Sequence, residues 1–433
     1  MDRFDAYSST YSSTYSSTYF RTKRQKSSGV PGMSIHSAIY STPSTVLQDN
    51  LISFLSYIKT QNIPILPVTL PDVRSGLGQG ASFLVNGAEV PETYVDPGTG
   101  VVFPKGMIVA FKRAIMNEGM TDIIGNRIAV IFNESLTMRH PPLLAHPNIV
   151  KLLGIGFEVE GPAGYEHAMP VLVPECAELG NLAEILETAR KEDRPLGLEE
   201  KLSLCIDVAH GLEILHACEL PLTVIPIHQD IVHGDVKCEN VLIFENDPQA
   251  EKHDQQKSRL VCKLTDFGVS RHPSGGFVLG GSLPWQAPEC SPGAYFKVES
   301  AKRTDIYSFG MLLWRVLLNG DPFKSLGEFK GETPKERRQQ RNGAVALLKE
   351  EDSLVEHVCN SLTESGIIPL PRLEMILEVI KITLTKDPTR RELDIGRIIR
   401  FLTPNNWYQR RSADEILPAH INVLTLKPYQ APG

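Results

Sequence analysis

Apolar positions in this chain change their period near residue 180. Between Val73 and Ala114, short β-branched and aromatic runs (Ser82 to Val85, Met107 to Phe111) alternate with Gly, Pro and Asn punctuation, the pattern of a hairpin-rich antiparallel sheet. A Gly- and Pro-rich loop of about 20 residues is expected between two of its strands. Farther on the repeat turns helical. Leu198 to Leu215 (LEEKLSLCIDVAHGLEIL) carries a long helical pattern, and Asp305 to Leu318 (DIYSFGMLLWRVLL) is apolar nearly all round, as a buried core helix is. The expected class is therefore α+β, a small antiparallel β-rich lobe followed by a larger α-helical lobe.

The flanks read differently. Tyr7 to Tyr19 is YSSTYSSTYSSTY, three copies of a four-residue unit, and the stretch through Gly32 has almost no aliphatic residues to offset the entropy of ordering it. It is expected to be disordered, with hydroxyls available as phosphoacceptors. From Ser44 onward, Leu47, Leu51, Phe54, Leu55 and Ile58 recur at helical spacing and predict a short amphipathic packing helix. Two charge-dense inserts, Glu245 to Ser258 and Glu328 to Asp352, read as solvated excursions.

Composition narrows the class. The 433 residues are 42% hydrophobic, enough for sizeable cores, and 51 acids against 44 bases leave −7, no electrostatic footprint for nucleic acid. No apolar run is long enough for stable membrane insertion, and the N-terminus lacks the apolar core of a signal peptide. The seven cysteines are scattered and never spaced CxxC, which fits a reducing, cytoplasmic setting better than a disulfide or zinc framework.

The chemistry concentrates in Ile231 to Ile243, IVHGDVKCENVLI, where Asp235, Lys237 and Asn240 stand within six positions. Alone, this is compatible with an ordinary polar loop between a helix and a strand. About 30 residues on comes Asp266-Phe267-Gly268 after the β-like run LVCKL, and then Ala287-Pro288-Glu289. Upstream, Val109-Ala110-Phe111-Lys112 ends a predicted strand, preceded by Gly78-Gln79-Gly80 and Val85.

In order and spacing this set resembles the signature of eukaryotic protein kinases, over roughly residues 73 to 402. Lys237 two residues after Asp235 is similar to the serine/threonine class; GSLPWQAPE resembles the tyrosine-kinase-like group, and the HGD loop looks like a form common in fungi. The resemblance implies a kinase domain at 73–402 (lobes 73–177 and 178–402); composition and periodicity add a disordered tail at 1–43 and a helical extension at 44–72, with a second tail at 403–433. It implies ATP and Mg²⁺ as cofactors, protein substrates with Ser or Thr acceptors, and no nucleic acid; oligomeric state stays open.

The resemblance also assigns roles. Asp235 would accept and orient the acceptor hydroxyl, Lys237 would neutralise the moving phosphoryl group, and Asn240 and Asp266 would ligate Mg²⁺. Lys112 would hold the α- and β-phosphates, fixed by Glu134 in IAVIFNESLTM. Leu77, Gly78, Gln79 and Gly80 would form the phosphate loop; Val85, Ala110 and Leu242 would sandwich adenine. The carbonyl of Glu175 and the N–H of Ala177 would read its edge. Asp305, at the start of its helix, and Arg391, paired with Glu289, match architectural anchors.

Three departures matter. Phe83 holds the third glycine position, where about 1 kcal/mol, some fivefold in nucleotide affinity, would go with one lost hydrogen bond. Gly234 replaces the arginine that usually receives an activation-loop phosphate, and Asp266 to Glu289 contains only Ser270, Ser274 and Ser282 as hydroxyls. Activity is thus expected to be constitutive or controlled through the lobes and tails. Pro174 removes a strand N–H beside the adenine pocket. A small-molecule phosphotransferase also uses an HGD loop, but Asp266-Phe267-Gly268 with Ala287-Pro288-Glu289 weighs toward protein substrates; a weakly active scaffold is the other alternative.

Overall fold

The computed structural model describes residues 51–66, 76–79, 83–115, 123–160, 166–177, 179–218, 231–245, 260–267, 283–290, 298–320, 322–327, 329–330 and 333–403. The YSST repeats, Leu47, Gly80, Gly268, the hydroxyls at 270, 274 and 282, and the first charged insert beyond Glu245 lie outside them.

Helix α1 (Leu51–Thr60) precedes the β-rich half. The strands follow as β1 (Gly76–Gln79), β2 (Phe83–Glu89), β3 (Tyr94–Val95), β4 (Val102–Phe103) and β5 (Ile108–Ala114). Helix α2 (Ile123–Met138) and a single turn, α3 (Pro141–Leu144), lead into β6 (Leu152–Glu160) and β7 (His167–Pro174). Five of these strands form one antiparallel sheet in the order β1-β2-β5-β7-β6. Strands β3 and β4 pair separately, so the Gly/Pro-rich loop of about 20 residues expected between two strands carries a hairpin of its own. Its tip is tied by Asp96, which accepts from the Thr99 N–H and hydroxyl at 2.7 Å each.

Register decides which side chains meet. Strand β2 opposes β5 without a slip from Phe83↔Ala114 to Glu89↔Ile108, so Val85 faces Lys112 and Gly87 faces Ala110. Directly opposed and alternate residues share a face. Phe83, Val85, Ala110 and Lys112 therefore lie on one side of the sheet.

The second half is helical: α4 (Leu182–Lys191), α5 (Leu198–Ala217), then the small pair β8 (Val241–Glu245) and β9 (Leu260–Leu264), and α6 (Val298–Leu317). Helix α6 buries Tyr307, Phe309, Leu312, Leu313 and Trp314, among others, which explains its all-round apolar pattern. It begins at Val298, so Asp305 sits in its interior and not at its start, as the sequence suggested. Gly310 lets α6 approach α9 (Leu370–Leu384) closely, since a Cβ there would stand 2.8 Å from Leu384 Cδ2.

Between them lie α7 (Pro334–Glu350) and α8 (Leu354–Glu364), and α10 (Ile395–Leu402) closes the lobe. Helix α7 occupies the second charged insert and corrects its reading as a solvated excursion. Thr333 caps it with Glu336 in a reciprocal pair, most of its length is exposed, but Val345 and Lys349 are buried at its last turns. Charge density along the sequence hid this, because part of the helix docks, with Arg341 over the Phe323 ring and Val345 and Lys349 buried, while the rest stays in solvent. No helix among the described residues is long and apolar enough to cross a membrane, and none of the seven cysteines is in a disulfide.

Candidate active site

The loop from Ile231 to Asn240 connects α5's side of the lobe to β8 and is pinned from beneath. The N–H groups of His233 and Gly234 donate to Asp305 Oδ2 and Oδ1, both at 2.8 Å, and His216 Nε2 lies 2.8 Å from the same carboxylate. Gly234 has φ +79°, in the left-handed region that favours glycine. A short 3₁₀ turn, Cys238–Asn240, then hands the chain to β8.

This pinned loop presents a linked cluster. Lys237 Nζ donates to Asp235 Oδ2 at 2.5 Å, and Asn240 Nδ2 donates to the Asp235 carbonyl at 2.9 Å and to Oδ2 at 3.1 Å. Burial works against the charge on Lys237, but Asp235 outweighs it and holds the ammonium above its ordinary value. The His233 ring helps shape the loop: Nε2 meets the Thr265 carbonyl at 3.0 Å, Nδ1 accepts from the Asp235 N–H at 3.3 Å, and the ring packs on Phe267 at 5.5 Å.

From the sheet side comes Lys112, on β5. Its Nζ donates to Glu134 Oε1 on α2 at 2.5 Å and to Asp266 Oδ1 at 3.0 Å, across 22 and 154 residues of chain. Burial disfavours charge on Lys112, yet the two carboxylates together raise it. Asp266 feels the same burial, but the Lys112 charge and bond, helped by Lys237, hold it below the usual carboxylate range. Glu134, fully buried, is pushed up by burial against the pull of Lys112. Asp266 itself adopts φ +69°, rare for a non-glycine and a sign that its surroundings fix it.

The structure thus brings Lys112, Glu134 and Asp266 into direct contact, and Asp235, Lys237 and Asn240 into a second group coupled to it through Asp266. Val85 and Ala110 share the face of Lys112, and Leu242 lies on β8, paired with Asn181 at the start of α4. Leu77, Gly78 and Gln79 fall on β1, whose backbone pairs with β2. Glu175 and Ala177 follow β7 on the segment joining the two halves; Glu175 bridges Val109, and its N–H donates to the Lys151 carbonyl. Pro174 ends β7 opposite Leu152, at a register irregularity where a missing N–H is tolerated.

Three contributors escaped the sequence reading. Phe83, expected only to impair the loop, is 3% exposed, and Lys112 Nζ stands 4.1 Å over its ring, a cation–π contact that covers the lysine. The Glu175 side chain takes both its oxygens to Lys263 Nζ at 2.8 Å each. Arg315 on α6 pairs with Glu239 at 2.7 Å and lies 5.1 Å from the Trp285 ring, linking the loop to the segment before Ala287. Each pairing spans dozens of residues and has no local signal.

Besides the buried Glu134 Oε2, two oxygens nearer the loop remain without a hydrogen bond among the described residues. Asn240 commits its amide hydrogens to Asp235, which leaves Oδ1, and Asp266 commits Oδ1 to Lys112, which leaves Oδ2. Hard oxygens of this kind suit Mg²⁺, which takes few protein ligands beside phosphate. Accordingly, no set of three or more His, Cys, Asp or Glu side chains gathers as a metal site among the described residues.

A β-rich half and a helical half here bring a buried Lys–Glu pair together with an Asp/Asn loop. The family model for protein tyrosine and serine/threonine kinases matches residues 107–356, more than half of the chain, and the chain belongs to that family. It is 28% identical over 222 residues, 51% of its length, to a "Probable serine/threonine-protein kinase" of Dictyostelium discoideum. It is 30% identical over 186 residues, 42% of its length, to mitogen-activated protein kinase kinase kinase 11 of Homo sapiens. A third relative, the "Probable serine/threonine-protein kinase roco8" of Dictyostelium discoideum, is 30% identical over 173 residues, 40% of this chain. These matches cover only 11%, 18% and 8% of the relatives' own lengths.

Proposed function

We propose that this chain transfers the γ-phosphate of Mg²⁺-bound ATP to Ser or Thr hydroxyls of protein substrates, in intracellular signalling. The observation that carries the reading is the continuous chain of contacts from Glu134 through Lys112 to Asp266, set against the Asp235–Lys237–Asn240 group. Phosphoryl transfer asks a protein for positioning and charge neutralisation, and this cluster supplies both.

When bound, Mg²⁺ neutralises phosphate charge, and Asn240 and Asp266 are the residues that would hold it. Lys112, aimed by Glu134, would hold the α- and β-phosphates. Asp235 orients the acceptor hydroxyl and takes its proton, while Lys237, already 2.5 Å from Asp235, lies ready to face the transferred group. Val85, Ala110 and Leu242 would bracket adenine, with Leu77, Gly78 and Gln79 toward the phosphates and backbone groups of Glu175 and Ala177 at the adenine edge. The relatives described as serine/threonine kinases, and Lys237 in the loop, favour Ser and Thr over Tyr.

The test is phosphate transfer from radiolabelled Mg-ATP to a degenerate peptide library carrying Ser, Thr or Tyr as acceptor, comparing the native chain with Asp235→Asn. Incorporation into Ser/Thr peptides that falls by about 10³-fold or more in the variant supports the reading. Equal incorporation by both proteins would remove it, and transfer only to small alcohols such as aminoglycosides would replace it.

A further inference from the structure

Helix α1 stands outside the matched family region, yet it touches the catalytic apparatus at one remove. Its Phe54 and Ile58 are 0% and 2% exposed. Tyr57 packs edge-on against Phe132 of α2 at 4.8 Å, Phe54 meets the same ring at 5.6 Å, and the Tyr57 hydroxyl donates to the Ser135 carbonyl at 3.2 Å. One turn farther, Arg139 Nη2 donates to the Gln61 carbonyl at 2.9 Å. The chain then continues alongside the sheet: Leu66 N–H donates to the Ile155 carbonyl and Ile155 N–H to the Pro64 carbonyl, each at 2.9 Å.

Phe132 and Ser135, three apart, lie on one stripe of α2, and Arg139 follows just past its last residue, Met138. At 100° per residue Glu134 lies about 200° from Phe132 and about 100° from Ser135, so its side chain leaves the helix away from that stripe. Pressure from α1 on that stripe therefore pushes Glu134 toward the sheet, where Lys112 waits. Because the same segment also bonds to β6, it fixes α2 against the sheet rather than merely covering it.

We infer that residues 51–66 are an in-chain positioning element for the Lys112–Glu134 pair, with Tyr57 its key residue. This rests on the proposed kinase activity. It supplies a place for control in a chain whose Gly234 lacks the usual arginine, since whatever docks or releases α1 changes how well Glu134 aims Lys112. Tyr57 touches neither nucleotide nor acceptor; it acts through Glu134.

The test is a double-mutant cycle in the full chain, crossing Tyr57→Phe and Tyr57→Ala with Glu134→Gln. Affinity for Mg²⁺ with a non-hydrolysable ATP analogue is measured by calorimetry in every protein, and kcat where turnover is detectable. Tyr57→Phe loses about fivefold in analogue affinity, the worth of one hydrogen bond, and Tyr57→Ala at least tenfold. In the Glu134→Gln background both changes become silent, within about twofold, even though the melting temperature falls in either background. Equal losses with and without Glu134, or no loss from either Tyr57 change, would overturn the inference; Tyr57→Phe decides should Tyr57→Ala not fold. Tight analogue binding with no transfer by the native chain would defeat the kinase reading instead, and the affinity cycle would still report on Tyr57.

Discussion

Arg391 and Glu289, 102 residues apart, form a two-point ion pair, Nη1 to Oε1 at 2.5 Å and Nη2 to Oε2 at 2.8 Å. The arginine side chain is 0% exposed, lies 4.8 Å from the Tyr307 ring, and also donates to the carbonyls of Thr385 and Lys386. This pairing staples the segment after Ala287-Pro288 to the end of the helical lobe.

Breaking it from one side leaves a buried charge without its counter-charge. Glu289→Gln is expected to cost about 3 kcal/mol, at the low end because Glu289 is partly exposed, and Arg391→Met a similar amount. The double change should cost less than the two singles together. Urea denaturation of the four proteins gives these values; additive losses would show that the pair is not coupled.

The left-handed backbone at Gly234 makes a second expectation. Gly234→Ala should lower stability by about 1–2 kcal/mol and loosen the His233 and Gly234 bonds to Asp305. Gly234→Arg, which restores the family's more usual residue, should not raise activity, and phosphatase treatment of the native chain should leave its rate unchanged. Both are read in a peptide phosphorylation assay.

Lys349 predicts a pH dependence. Its Nζ donates to the carbonyls of Leu283, Pro284 and Gln286 at 3.3, 3.0 and 2.6 Å, and burial, reinforced by Arg391 and opposed by Cys290 and Glu289, pulls it down to about 7. Free in the unfolded chain it would titrate near 10.5. Between those values the unfolded state binds the extra proton, so stability rises with pH from about 7 toward 10.5, and the full penalty is present below 7. Lys349→Met removes this dependence. The difference in unfolding free energy between native and variant, measured from pH 6 to 10, should change by a few kcal/mol in that direction; a flat difference would contradict it.

Gly154 tests the seat of the N-terminal segment. A Cβ there would fall 2.7 Å from the Pro64 carbonyl oxygen and onto Leu66 Cδ1. Backbone cannot swing aside as a side chain does, so Gly154→Ala is expected to cost about 1–3 kcal/mol and to expose residues 51–66 to limited proteolysis. Unchanged cleavage and melting would show that the segment tolerates displacement.

The site was largely legible because its chemistry repeats at fixed local steps. Asp235, Lys237 and Asn240 are neighbours in sequence, and Asp266-Phe267 follows an apolar run that ends in the β9 strand. Glu134 was reachable through the helical pattern of α2, and its partner Lys112 through the strand that carries it. The amphipathic helix near residue 51 was also expected, though Leu55 proves exposed and only Phe54 and Ile58 of its described stripe are fully buried. What it packs on was not legible, nor was the ring of Phe83 over Lys112 or the docking of Lys349.

The sequence by itself determined the order of elements and the candidate groups that the structure gathers, since period and local spacing are properties of short stretches and need no partner. Tertiary structure alone decided which surfaces α1, α7 and Phe83 would cover. Those contacts join residues about 30 to 90 apart in sequence, and an aromatic stripe or a lysine looks the same in a chain whether it meets water, a carbonyl or the back of a helix.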